Sequence, residues 1–223
     1  KNPSITNIKN YFKRYYCPNN VAICMSGDFD PDQMIATIDK YFGTWKPNPN
    51  LTRPEYAPVP TLTAPTDTTV IGQEAENVML GWKFEGAASL QQDTLDVISD
   101  MLSNGKAGLF DLNLDQKMMY LGGGAFAYQL AEYSSFIVEG LPKEGQTLEE
   151  VRDLMLGEIA KLKRGEFSDD LLPSVINNMK LAAYNEMESN DSRANKFVDA
   201  FINGKKWSDV VGRLDRISHI TKQ

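Results

Sequence analysis

Six of the eleven prolines in this 223-residue chain crowd into one stretch: Pro47, Pro49, Pro54, Pro58, Pro60 and Pro65. Proline has no backbone N–H and a fixed φ, so this stretch cannot supply a regular ladder or a helix interior. It favours extended, semi-rigid backbone. The chain is therefore expected to fold as two pieces, residues 1–46 and 66–223, joined by a linker over 47–65.

Several classes of function are excluded early. No run of about 18 apolar residues exists, so no transmembrane helix is expected. The net charge is −7, with 23 basic against 30 acidic residues. Phosphate neutralisation needs a basic face, so nucleic acid is not an expected partner. Cys17 and Cys24 are too few for a disulfide scaffold and too far apart for a CxxC metal motif. His219 is the whole imidazole supply.

The first piece reads as helix, strand, helix. Ser4 can cap a helix over 4–16, where Ile5, Ile8, Phe12 and Tyr15 form a stripe. After a Cys17-Pro18-Asn19-Asn20 turn, the apolar run Val21–Met25 suggests a strand buried on both faces. Asp30, Pro31 and Gln33 then open a helix that Gly43 closes.

The second piece has strand period over 77–84, preceded by an extended Thr69-Val70-Ile71. A helix capped at Ser89, a short helix over 108–116, and strands over 119–130 and 133–141 follow. Thr147 and Glu150 form a capping box for a helix to Arg164, and Ser168 opens a long helix to about Ser189. Further helices are expected over 192–203 and 207–216, with 217–221 as the lead-in to another. Interleaved strands and helices, then helices in a row, indicate α+β with a mostly antiparallel sheet and helices on one face.

The segment Tyr15 to Asp30, with Lys40-Tyr41-Phe42-Gly43, resembles a signature of the M16 zinc metallopeptidases, the insulinase, pitrilysin and mitochondrial processing peptidase family. A tyrosine-rich helix end, a Pro-Asn-Asn turn, an apolar strand, Gly-Asp, a helix and Tyr-Phe-Gly occur in that order. The later elements agree in order, including Gly108-Leu109-Phe110 and Leu148-Glu149-Glu150-Val151. The resemblance covers essentially the whole chain and matches the C-terminal M16 domain. It implies the metallohydrolase α/β roll, with residues 1–46 as the tail of one lobe and 66–223 as most of the next, truncated at its C-terminus.

The family's catalytic box is H-x-x-E-H with a further glutamate downstream. A chain with one histidine cannot contain it, so no catalytic and no metal-binding residue is expected here. His219 reads as an ordinary residue near a chain end. Zinc is expected only in an upstream lobe of a parent protein, and this segment alone is expected to be inactive. The family's substrate-contacting arginine and tyrosine pair also lacks its arginine, since none occurs between Arg53 and Arg152. Tyr120 and Tyr128 are candidates for the tyrosine, or are strand tyrosines packed at an edge.

Leu121-Gly122-Gly123-Gly124-Ala125 is not a phosphate loop, because no G-x-x-x-x-G-K-[ST] pattern follows. Gly122, Gly123 and Gly124 mark a bulge or close backbone approach, or leave room for a peptide strand or a facing lobe. Glu149-Glu150 and Asp169-Asp170 sit at helix starts, where carboxylates suit the dipole. The methionines, including Met118-Met119, and Trp82 read as core, and the two cysteines as packing residues.

The expected function is that of a non-catalytic segment building the substrate chamber of a peptidase acting on oligopeptides or unfolded polypeptides. The alternative is a segment of an inactive homologue that serves as scaffold for an active partner. Expected partners are the other lobes of the parent chain and a peptide. A bacterial cytoplasm or periplasm is the expected setting. Because the two lobes are homologous, residues 4–25 are also expected to fill a vacancy beside strand 77–84, within one molecule or in a domain-swapped dimer.

Overall fold

A computed structural model describes residues 2–52 and 54–222. Positions 1, 53 and 223, which fall within the segment bounds expected above, lie outside it. Helix α1 (Ile5–Tyr15) starts where Ser4 Oγ accepts the Asn7 N–H at 3.2 Å. Helix α2 (Pro31–Phe42) starts where Asp30 Oδ1 accepts the Gln33 N–H at 2.9 Å, with Pro31 in the first turn. Both caps follow from short polar side chains satisfying orphan N–H groups.

Between them, residues 21–25 form no strand and belong to no sheet. The expected buried strand is therefore absent in the single chain, and its pairing with strand 77–84 within one molecule is overturned. Val21, Ile23 and Met25 are exposed instead. The Thr69–Ile71 stretch is likewise unpaired, with Val70 and Ile71 exposed.

The sheet has three antiparallel strands in the order β1-β3-β2: β1 (Val78–Glu85), β2 (Gly122–Gln129) and β3 (Tyr133–Leu141). Leu80 and Ala125 flank Val138, and Trp82 and Ala127 flank Phe136, on one face. Val138 and Phe136 are buried there. Helices α3 (Gln91–Leu102) and α4 (Leu148–Lys163) pack on the sheet, and α5 (Leu171–Glu188) packs on α3. Helices α6 (Asn190–Asn203), α7 (Trp207–Val211) and α8 (Arg213–Ser218) complete the chain. The architecture is α+β, with an antiparallel sheet and helices on one face.

The core joins Leu95, Met101 and Leu102 of α3, Val151 and Met155 of α4, and Val175 of α5 to the sheet. Gly140 of β3 makes the α4 contact possible. A Cβ there would meet Val151 Cγ1 at 2.6 Å and Met155 Sδ at 2.9 Å. The capping box at α4 is complete, with Thr147 and Glu150 bonding each other's backbone N–H.

The expected short helix over 108–116 is present, and its turn over Asp111–Asp115 is a π turn. The 207–216 helix breaks at Gly212 into α7 and α8. Residues 217–218 are the last residues of α8, and Ile217 is fully buried in the core.

Candidate functional site

The sheet face away from the helices is set by register. Gly124 lies opposite Glu139, which pairs with Met79. Phe126, Ile137 and Gly81 form the next row, and Tyr128, Ser135 and Lys83 the third. Alternation in an antiparallel sheet puts these three rows on one side. Met79, Phe126 and Tyr128 are exposed, Tyr128 at 56%. A Cβ at Gly81 would meet nothing within 4 Å, so the middle of β1 is an open shelf. The Pro-rich segment reaches its border, where Lys83 Nζ donates to the Val59 carbonyl.

The three glycines of β2 do different things. A Cβ on Gly123 would sit 2.3 Å from the Glu139 carbonyl oxygen and 2.7 Å from Tyr120 Cε2. Gly123 is thus a close-approach glycine required by internal packing. A Cβ on Gly124 would make only an ordinary contact, 3.6 Å from Ser103 Oγ, and one on Gly122 would touch nothing within 4 Å. Those two positions leave surface free.

Tyr120 and Tyr128 are not brought together. Tyr120 is 3% exposed and belongs to the core cluster, so it offers no face to a peptide. Its hydroxyl is buried beside the Asp115 carboxylate, outside strict hydrogen-bond distance and angle. Burial, and then the nearby Asp115 and Asp111 carboxylates, push the phenol pKa well above its usual value. Burial likewise raises the Asp115 carboxyl.

The loop bordering the glycine run is held by Asp111, a residue the sequence reading passed over. Its Oδ2 accepts the N–H groups of Asn104, Lys106 and Gly108 at 3.0, 3.1 and 2.8 Å. A carboxylate accepting three backbone donors replaces the water those groups would otherwise need. The sequence signal was an Asp three residues after a Gly in a turn-rich stretch, which is too common to single out. Met79, Phe126 and Ile137 were also missed. Their alternation is visible in sequence, but the row they share depends on pairing register.

Several residues expected in the core are not there. Met118 is 74% exposed, in the turn before β2, and Met119 is exposed as well. Trp82 points to the helix side, 6.3 Å from the Phe136 ring, yet is 38% exposed because β1 is an edge strand. The carboxylates at helix starts do structural work: Glu150 completes the α4 box, and Asp169 pairs with Lys222 at 3.0 Å. Cys17 is buried, Cys24 is partly so, and both thiols are free.

Among the described residues no group of three or more His, Cys, Asp or Glu side chains could hold a metal. His219 is exposed, and its Nδ1 lies 2.8 Å from the Asp215 carbonyl oxygen. Among the described residues, no helix is long and apolar enough to cross a membrane.

Comparison with known proteins gives a consistent picture. The zinc protease PqqE of Helicobacter pylori is 25% identical over 224 residues, spanning 96% of this chain and 48% of that protein. A crystal structure of a protease from Helicobacter pylori superposes with a TM-score of 0.87 at 22% identity, covering 99% of this chain and 54% of that one. A chain of complex III2 from Candida albicans shares the fold at a TM-score of 0.72 and 12% identity, covering 99% of this chain and 54% of that one. The chain thus spans about half the length of the relatives it matches. The family model described as the peptidase M16 inactive domain matches residues 4–179, and the chain belongs to that family.

Proposed function

We propose that this chain is a wall of the substrate chamber of a zinc-dependent M16 peptidase, whose upstream lobe carries the H-x-x-E-H box and acts on oligopeptides or unfolded polypeptides. Residues 1–46 are then the tail of one lobe, 47–65 the linker and 66–223 most of the next lobe. The observation that carries the reading is the uncovered sheet face, where Met79, Gly81, Gly124, Phe126 and Tyr128 share adjoining rows. An extended peptide can lie on such a face with apolar and aromatic contacts while open glycines admit its side chains. Gly122, Gly124 and Tyr128 remain the contact candidates. Gly123 and Tyr120 support them from within.

Fluorescence anisotropy of a labelled unfolded peptide with the 223-residue chain tests this. Tyr128→Ala combined with Phe126→Ala is expected to weaken binding roughly ten-fold, the loss typical of truncated aromatic anchors. Unchanged binding, or none to the parent chain, overturns the assignment of the face. The purified chain should cleave no peptide, with or without added zinc.

The missing arginine between positions 53 and 152 favours a second reading, a scaffold segment of an inactive homologue. An intact zinc box upstream would end that alternative. Among the described residues the outer edge of β1 is unpaired, which favours strand exchange between two copies through residues 21–25. Sedimentation as a dimer that Ile23→Pro abolishes would support exchange. A monomer would end it.

A further inference from the structure

One guanidinium joins parts of the chain that share little else. Arg193 lies in the first turns of α6, just past the break at Ser189 where α5 ends. Its Nε donates to Ser26 Oγ at 2.9 Å, a partner 167 positions away. Its Nη1 donates to the Met187 carbonyl in the last turn of α5, and its Nη2 to Asn190 Oδ1. Ser26 Oγ in turn donates to Asn190 Oδ1 at 3.4 Å. Helices α1 and α2 contain no buried residue, so a broad apolar interface does not hold the N-terminal pair in place.

We infer that Arg193 is a clasp that docks the N-terminal helix pair on the α5–α6 elbow and sets the relative orientation of the two pieces across the Pro-rich segment. The residue type fits the task. A planar fork with five donors can reach diverging acceptors at once, which a lysine ammonium on a flexible stem does less well. One of those acceptors is a last-turn helix carbonyl, which has no partner within its own helix. Because the same side chain ties α5, α6 and Ser26, a change in the elbow angle carries the guanidinium away from Ser26. Helix α6 and the Ser26 segment between α1 and α2 therefore move as coupled parts. This inference does not depend on what the sheet face binds.

Spin labels on Cys24 and on Asn195→Cys, in a Cys17→Ser background of the full 223-residue chain, report the distance across the clasp. The parent is expected to give one narrow distance distribution. Ser26→Ala leaves the elbow contacts intact and is expected to raise the undocked population roughly five-fold, the factor carried by one net hydrogen bond. Arg193→Ala should raise it at least as much, and Arg193→Lys should fall between. A broad distribution in the parent overturns the clasp. So does a narrow one in both Ser26→Ala and Arg193→Ala. A response to Arg193→Ala without one to Ser26→Ala assigns the arginine to the elbow alone and also overturns it.

Discussion

Helices α1 and α2 follow the same local rules as α4 and have the opposite fate. All three have a side-chain cap, and α1 and α2 carry a clear apolar stripe. Yet α4 buries Val151 and Met155 completely, while Ile5, Ile8, Phe12, Ile35 and Phe42 are exposed. Caps and periodicity decide where a helix starts and which side is apolar. They do not decide whether anything covers that side. Most helical stability comes from packing of the apolar face, so the two regions should respond very differently to the same substitutions.

The largest effect belongs to the core. Phe110 is fully buried, and Phe110→Ala should cost about 3–5 kcal/mol in urea denaturation, the range for large-to-small core changes. Phe12→Ala on the exposed stripe should stay within about 0.5 kcal/mol. A Phe12→Ala loss as large as that of Phe110→Ala would show that the stripe is covered in solution and would break the comparison.

Glycines sharpen it at the next level. Gly140→Ala drives a methyl into Val151 Cγ1 and Met155 Sδ, at 2.6 and 2.9 Å. Overpacking of that kind costs about 1–3 kcal/mol. Gly81→Ala meets open space and should be neutral or gain a few tenths of a kcal/mol, roughly what reduced chain entropy gives. Equal effects at the two positions would mean that helix α4 does not lie on the sheet as described.

Tyr120 provides a pH test. Its hydroxyl is buried beside the Asp115 carboxylate and outside strict hydrogen-bond geometry, so Tyr120→Phe at neutral pH should change stability by no more than about 1 kcal/mol. The folded-state pKa is raised, chiefly by burial and then by Asp115 and Asp111. In the unfolded chain the phenol ionises near pH ~10. The stability tied to its neutral form is therefore complete below that value and is lost as pH rises into the alkaline range. Tyr120→Phe should flatten the alkaline limb of the stability profile. An unchanged limb would place the hydroxyl in contact with water.

The extent to which the sequence announced this molecule follows from the same distinction. Ser4, Asp30 and Thr147 were readable as caps because a cap is a local hydrogen bond between near neighbours. The strand over 77–84 was readable from alternation and lies one residue from the observed β1. The register of β1 against β3 was not, because it joins residues as distant as Val78 and Gly140, and Trp82 shows the consequence. It has the parity of Leu80 and Phe84 but lies on an edge strand, where parity does not guarantee cover. Tyr120 failed in the other direction: a tyrosine beside three glycines suggests an accessible site, but its ring is what Gly123 makes room for. Residues 21–25 carried a buried-strand pattern that only a partner strand could satisfy.

The smallest effects separate local from global stability. Thr147→Ala removes one half of the α4 box, and Asp30→Ala removes the cap of α2. Each should cost its helix about 1 kcal/mol. Because α4 is fastened to the sheet through Val151 and Met155, the Thr147→Ala loss should register in full in cooperative unfolding. Helix α2 buries nothing, so Asp30→Ala should leave the main transition unchanged and raise amide hydrogen exchange in the first turn of α2 instead. Local opening of that kind is expected where few apolar contacts oppose it. If Asp30→Ala lowers the main transition as much as Thr147→Ala does, the N-terminal pair is part of the same cooperative unit, and its exposed stripe is held by contacts beyond the Arg193 clasp.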